Sequence, residues 1–474
     1  MRVEAWERAK KMIRASKSSS FMTTRPKPSM PRRLRRSADL TGRRLGRAVL
    51  GYLIAMVAII TLSPFRFALT PLHGFIYDWT TSDLLLNIVL FVPLGFIFQL
   101  SRPKGAPLGL WRALLFGAAF SASIETVQLF EASRYSSLMD VACNTLGCGF
   151  GAVIHAFVAR RGNGRNALPT LTLDLPLMGL VYLLVPLAWS TGFASGNNSL
   201  RGWLALPLAA MAGNILGAVH AAYFAAPRGF SVTVHSSLGA WASRPQEWRL
   251  RWPRSQEKVG GTELLGFGLL PYLASLLWVL IALIPIGIHQ PEIVIVGIIV
   301  ALGSAWLRSL LTERRLKGDN DRRFEWLTLR QILPLFAAFI LLSSLWPFDF
   351  AALKWQGMIA LLPADVIANK NHVFLALEHV TAFLLLGYVL AELQGRNTGD
   401  FRPWVFRIVV YSGGISLLLE ILRGMLPRQG ASLFLFGFTV GASALGVWLY
   451  QLQRDHICAL LSRNQFGQGH FKSE

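Results

Sequence analysis

Runs of about twenty apolar residues recur along almost the whole chain, each long enough to cross a hydrocarbon core of roughly 30 Å. Inside lipid every backbone N–H and C=O must find a partner within the protein, so runs of this length are helices. Twelve spans are expected, near 45–62, 84–100, 109–129, 141–159, 172–191, 202–224, 264–286, 291–308, 329–346, 373–393, 404–423 and 433–451. Only 15% of the 474 residues are charged, where a soluble chain carries about a quarter. The expected fold class is all-α: a polytopic integral membrane bundle of about 12 transmembrane helices.

The net charge of +22 would suggest nucleic acid in a soluble chain. Here the basic residues gather in the N-terminal arm and in alternate loops, so they report orientation instead. With the arm inside, the inside loops hold Arg102-Pro-Lys104, Arg160-Arg161, the 226–262 segment, 308–328 and 395–403. The loops at 63–82, 130–140, 192–201, 287–290, 347–372 and 424–432 are poor in Lys and Arg and face out. Both termini are then cytoplasmic. Residues 1–44 read as a basic, disordered arm touching anionic lipid, with no apolar core of a signal peptide. Cys143, Cys148 and Cys458 imply no disulfide framework, and no cofactor or metal cluster is expected.

An ordered set of residues occurs twice. Spans 1–4 contain Ser63-Pro-Phe-Arg-Phe67, Phe91, Gly95, Glu125 and Gly151; spans 9–12 contain Trp346-Pro-Phe-Asp-Phe350, Phe383, Gly387, Glu420 and Gly446. Four spans lie in each copy and four between, so the repeats are parallel. The expected organisation is the arm (1–44), a first unit (45–160), a central membrane segment (165–315), a second, degenerate unit (325–452) and a cytoplasmic tail (453–474). Within the central segment, 226–262 is a basic loop with Trp241, Trp248 and Trp252, suited to a membrane surface.

The first copy carries polar groups that are expensive in a membrane and mark a site by default. Asp83 begins span 2, with Asn87 a turn deeper; Glu125 and Gln128, at i and i+3, share a face of span 3. Asp140, Asn144, Gly147 and Gly151 form one stripe of span 4, and Arg134 and Ser137 lie in the short loop before it. These groups are expected to converge in a shallow pocket near the outer face, with Glu125 paired to Arg134. Plainer roles compete: helix capping for Asp83, Asp140 and Ser137, interhelical hydrogen bonding for Gln128 and Asn144, and close packing for Gly147 and Gly151. In the second copy His379 replaces Asn87, with Glu378 beside it. Arg423 replaces Gln128 and can neutralise Glu420; Leu435 and Thr439 replace Asp140 and Asn144, and Arg428 or Gln429 falls near the place of Arg134. His220, deep in span 6, reads as a packing histidine.

These residues resemble the VanZ-like family of bacterial membrane proteins. Its pattern runs from an Asn or His before F-x-x-L-G, through E-x-x-Q and an Arg-x-x-S loop, to D-x-x-x-N-x-x-G-x-x-x-G. The first copy matches it through Asn87, Phe91, Gly95, Glu125, Gln128, Arg134, Ser137, Asp140, Asn144, Gly147 and Gly151. The second is similar to its His variant through His379, Phe383, Gly387 and Glu420. The resemblance implies a bacterial inner-membrane envelope protein, in a family whose founding member is associated with teicoplanin resistance. Three functions then compete: binding a lipid headgroup, lipid-linked precursor or glycopeptide; an enzyme with Glu125 or Asp140 as general base; and a transporter or flippase. The expected partners are membrane lipids and such a precursor or glycopeptide, not nucleic acid.

Overall fold

The computed structural model describes residues 32–72, 74–76, 80–103, 109–161, 173, 175, 177–196, 198–222, 269–318, 324–348, 357–358, 369–395, 401–426 and 430–469. Within them lie twelve long helices and one single-turn helix. They are α1 (Arg32–Leu62), α2 (Thr81–Leu100), α3 (Leu110–Gln128), α4 (Leu138–Arg161), α5 (Met178–Ser195), the short α6 (Ser199–Gly202) and α7 (Ala205–His220). There follow α8 (Leu270–Gly287), α9 (Pro291–Gly318), α10 (Phe324–Leu345), α11 (Lys370–Gly395), α12 (Arg402–Arg423) and α13 (Leu433–Gly469). Each expected span falls on one of the twelve long helices.

Among the described residues, ten helices are long and apolar enough to cross a membrane. The apolar helix Pro271–Gly287 is slightly shorter, and α3 is less apolar because it carries Arg112 and Glu125. The chain is a multi-pass, all-α membrane protein. The Trp-rich 226–262 loop, Arg428, Gln429 and the first 31 residues lie outside the described residues.

Three boundaries differ from expectation. The arm does not stay irregular up to residue 44: Arg32–Leu62 is one helix. Its Arg and Leu residues have high helix propensity, and Thr41 Oγ1 hydrogen-bonds His456 Nδ1 at 3.0 Å, tying this early part to α13. The fifth span begins at Met178, not at 172, because Leu177 has a positive φ of 65° that a right-handed helix cannot contain. At the other end, α13 runs on to Gly469 and through the expected tail. Gln453 there is buried, bonded to Tyr388 Oη and donating to Leu175 O at 3.0 Å.

The packing rests on close backbone approach between paired helices. α2 runs along α4, α7 along α9, and α11 along α13. A Cβ on Gly95 would collide with the Cys148 carbonyl, on Gly147 with that of Ile88, and on Gly151 with that of Val92. The Gly147/Gly151 stripe is therefore a packing seam between α2 and α4, since only glycine lets the backbones meet so closely. Gly387 against Ser443 and Gly446 against Leu384 make the corresponding seam between α11 and α13. The central helices fill the space between: α5 packs on α11, α8 on α2, α7 on α10, and α1 closes on α13.

Elements β1 (Phe75–Ile76), β2 (Ser136–Ser137), β3 (Gly357–Met358) and β4 (Ala431–Ser432) form two short parallel pairs, β1 with β2 and β3 with β4. Thus α1–β1–α2–α3–β2–α4 and α10–β3–α11–α12–β4–α13 have the same element order. The Ser63–Pro64 and Trp346–Pro347 peptides are both cis, and Phe65 and Phe348 both have positive φ.

Candidate functional site

Where α1 ends, the chain folds over the α3–α4 connection. Ala68 N donates to Phe130 O at 2.8 Å, Leu72 N to Leu129 O at 2.9 Å and Ala132 N to Arg66 O at 3.0 Å. The buried Glu131 carboxylate fastens the two strips by accepting from Arg66 N at 3.2 Å and Ser133 N at 2.8 Å. This platform carries Arg134. Its Nε donates to Ser63 O at 3.3 Å and its Nη2 to Ile60 O at 3.5 Å, carbonyls that the end of α1 leaves without helical partners. Burial lowers the Arg134 pKa, while Glu131, Asp140, Asp83 and Glu125, in that order, act to raise it.

Asp83 takes part in a cap, but as the third helical residue rather than the cap itself. Thr80 is the N-cap: its Oγ1 accepts from Asp83 N at 3.2 Å, and Asp83 Oδ2 accepts from Thr80 N at 3.4 Å. One turn on, Asn87 lies near enough to act on the Asp140 carboxylate. Asp140 is coupled electrostatically to both Asp83 and Arg134. Asp83, Asn87 and Arg134 thus all lie within electrostatic reach of Asp140, at the end of the bundle where α2 and α4 begin.

The deeper residues of the expected site are committed elsewhere. Glu125 is 3% exposed, and its Oε2 accepts from Ser137 N at 2.8 Å. Ser136 Oγ donates to the Glu125 main-chain carbonyl at 2.7 Å, so both ends of this residue hold β2. The expected Glu125–Arg134 ion pair is a correction: among the described residues the carboxyl takes a backbone amide, and Arg134 turns to the end of α1. Gln128 Nε2 donates to Thr61 O at 2.9 Å and Asn144 Nδ2 to Ser121 Oγ at 2.8 Å, which makes both interhelical ties. Ser137 Oγ accepts from Met139 N at 3.2 Å at the start of α4.

Residues 36–159, covering nearly all of α1–α4, match the family model described as VanZ/LLP1. This segment is a VanZ-like domain. No curated protein and no solved structure matches the chain. The VanZ-like domain is thus a four-helix unit in which Glu125, Gln128 and Asn144 each bond a neighbouring element. Among the described residues no group of three or more His, Cys, Asp and Glu side chains is placed to hold a metal.

Hydrogen bonds like those beneath α3 and α4 also occur in α10–α13. Glu420 Oε2 accepts from Ser432 N at 2.8 Å, as Glu125 does from Ser137. Ser416 Oγ meets Thr439 Oγ1 at 2.6 Å, where Ser121 meets Asn144. Arg423 donates to Glu420 Oε1 at 2.8 Å, the neutralising pair expected from the sequence. His379 hydrogen-bonds Leu375 O through Nδ1 at 2.7 Å. The start of the last helix differs: buried Leu435 stands in the place of Asp140.

Two anchors escaped the sequence reading. Glu131 had no motif to announce it. Arg201, in a loop otherwise poor in basic residues, pairs with the fully buried Glu378 and also donates to Ser343 O at 3.4 Å. A buried carboxylate in α11 with an arginine in the facing connection was the available signal, but the α6 turn that aims Arg201 inward is too short to read from periodicity. His220 is buried in α7, and Arg308 is bonded to Thr328 at 2.8 Å, linking α9 to α10.

Proposed function

We propose that the VanZ-like domain is a non-enzymatic binder of a polar group at the membrane surface: a lipid headgroup, a lipid-linked envelope precursor or a glycopeptide. One observation carries this reading. Arg134, half-buried on its platform, lies within electrostatic reach of Asp83 and Asp140, with Asn87 beside Asp140, while Glu125, Gln128 and the Asn144 amide nitrogen already bond within the protein. Arg134 offers a planar array of donors suited to phosphate or carboxylate oxygens, and the carboxylates accept from hydroxyl or amino groups of the same ligand. The enzyme reading has less support, because the Glu125 carboxyl is buried and tied to Ser137 N.

The scarcity of Lys and Arg in its loops supports an outer-side position for this site in a bacterial inner membrane, with both termini inside. That position suits a teicoplanin-resistance-like role, since such antibiotics act outside the membrane. We read α10–α13 as a second, altered copy of the same unit. The test is expression of Arg134→Gln and Asp140→Asn in a teicoplanin-susceptible host. Both variants should reach the membrane at the wild-type level and lose the wild-type effect on susceptibility; if both retain it, this is not the functional site.

A further inference from the structure

The expected outer loops are poor in Lys and Arg, yet two of the cations they do hold are brought together from different units. Lys370, the first residue of α11, lies within electrostatic reach of Arg134, and the two repel. Separate contacts hold each in place. Arg134 sits on the end of α1 through Ser63 O and Ile60 O. Lys370 Nζ lies 5.7 Å from the centre of the Phe374 ring. Buried Phe374 in turn stacks on Phe193 near the end of α5, with ring centres 5.2 Å apart. α1 packs on α5 and α5 on α11, so the two cations stand on neighbouring helix ends.

Among the described residues neither cation forms an ion pair. Two main-chain carbonyls take donors of Arg134, while Lys370 has an aromatic face beside it and is exposed. The carboxylates nearby have other tasks. Glu131 accepts from Arg66 N and Ser133 N, and Asp83 closes the cap of α2. Asp140 acts on Arg134, whereas Arg134 is the charged group that acts on Lys370. Two like charges held close raise the energy of the empty site, and an anion between them offsets that repulsion. A guanidinium fork and an ammonium together suit a phosphate, whose several oxygens can meet a planar donor pair and a point charge at once. Phosphate esters are also what a bilayer presents in the headgroup layer, just outside its hydrocarbon core.

We propose that the ligand of the Arg134 site carries a phosphate, and that Lys370 of the second unit is its second anchor. The inference rests on the reading of Arg134 as part of a binding site, and it makes that site a joint property of the two units. The phosphate belongs either to a lipid headgroup or to a free phosphate compound. The test is native mass spectrometry of the full-length protein in detergent, titrated with phosphatidylglycerol and, separately, with diacylglycerol, which lacks the phosphate. Wild type, Arg134→Gln, Lys370→Gln and Lys370→Arg are compared. Phosphatidylglycerol should bind about tenfold more weakly to Lys370→Gln and close to the wild-type level to Lys370→Arg, while diacylglycerol should not distinguish the four proteins. Inorganic pyrophosphate separates the sources: displacement of the lipid shows that a free phosphate fills the site, and no displacement shows that the lipid headgroup is required. Weakened binding in Arg134→Gln but not in Lys370→Gln would leave the binding site standing and overturn the part given to Lys370. No weakening in either would overturn both, and equal losses for diacylglycerol would overturn the phosphate.

Discussion

Replacing Glu125 separates its role as a structural tie from a role in chemistry. Its Oε2 is the partner of Ser137 N at 2.8 Å, and Ser137 is itself buried. Glu125→Ala leaves that N–H without an acceptor, a loss of about 1–3 kcal/mol, and removes packing under β2 as well. Glu125→Gln keeps an oxygen in the same place and should cost less than about 1 kcal/mol. The difference between the variants is then on the order of 1–2 kcal/mol, roughly a factor of 5–30 in the folded-to-unfolded ratio. Cys143 and Cys148 are buried and report unfolding when they become reactive, provided the partly exposed Cys458 is first changed to Ser in every protein. Thermal unfolding in detergent with a thiol-reactive dye should order the midpoints wild type, then Gln close behind, then Ala clearly lower. If Ala unfolds with the wild type, or if Gln falls as far as Ala, Glu125 is not the tie described.

Gly151→Val should prevent stable folding, since its side chain would meet the Val92 carbonyl and Phe96 N across the α2–α4 seam; membrane-fraction yield after detergent extraction checks this. Arg423→Ala strands the buried Glu420 and should cost about 3–5 kcal/mol, whereas Arg423→Ala with Glu420→Ala should recover part of that loss in the same thiol assay. Tyr135→Cys, at an exposed position beside Arg134, should label with an impermeant thiol reagent added to intact cells. Labelling only after the membrane is opened would invert the orientation.

Helices were the most legible part of this chain, because each of twelve apolar stretches can satisfy its backbone in lipid only by coiling. Glu420 and Arg423 were legible as a pair, being three residues apart on one helix. Glu125 was not, because its partner is the backbone amide of Ser137, a donor that every residue but proline carries and no letter marks. Arg201 with Glu378 was hidden for another reason: 177 residues separate them, and only the packing of α5 against α11 brings the α6 turn to the buried carboxylate. Among the candidate residues, the four grouped around Asp140 and the three beneath them looked alike in sequence. They differ in whether a partner is already within reach, and that depends on how the loops fold over α3.

The central claim is that the site holding Arg134 binds a specific polar group. Lipid-resolved mass spectrometry of the purified full-length protein tests it most directly, with wild type and Arg134→Gln prepared side by side. The prediction is one headgroup class or lipid-linked species enriched over the bulk membrane in the wild type and reduced at least tenfold in the variant, equivalent to about 1.4 kcal/mol of binding. Two identical spectra that mirror the bulk lipid composition would contradict it.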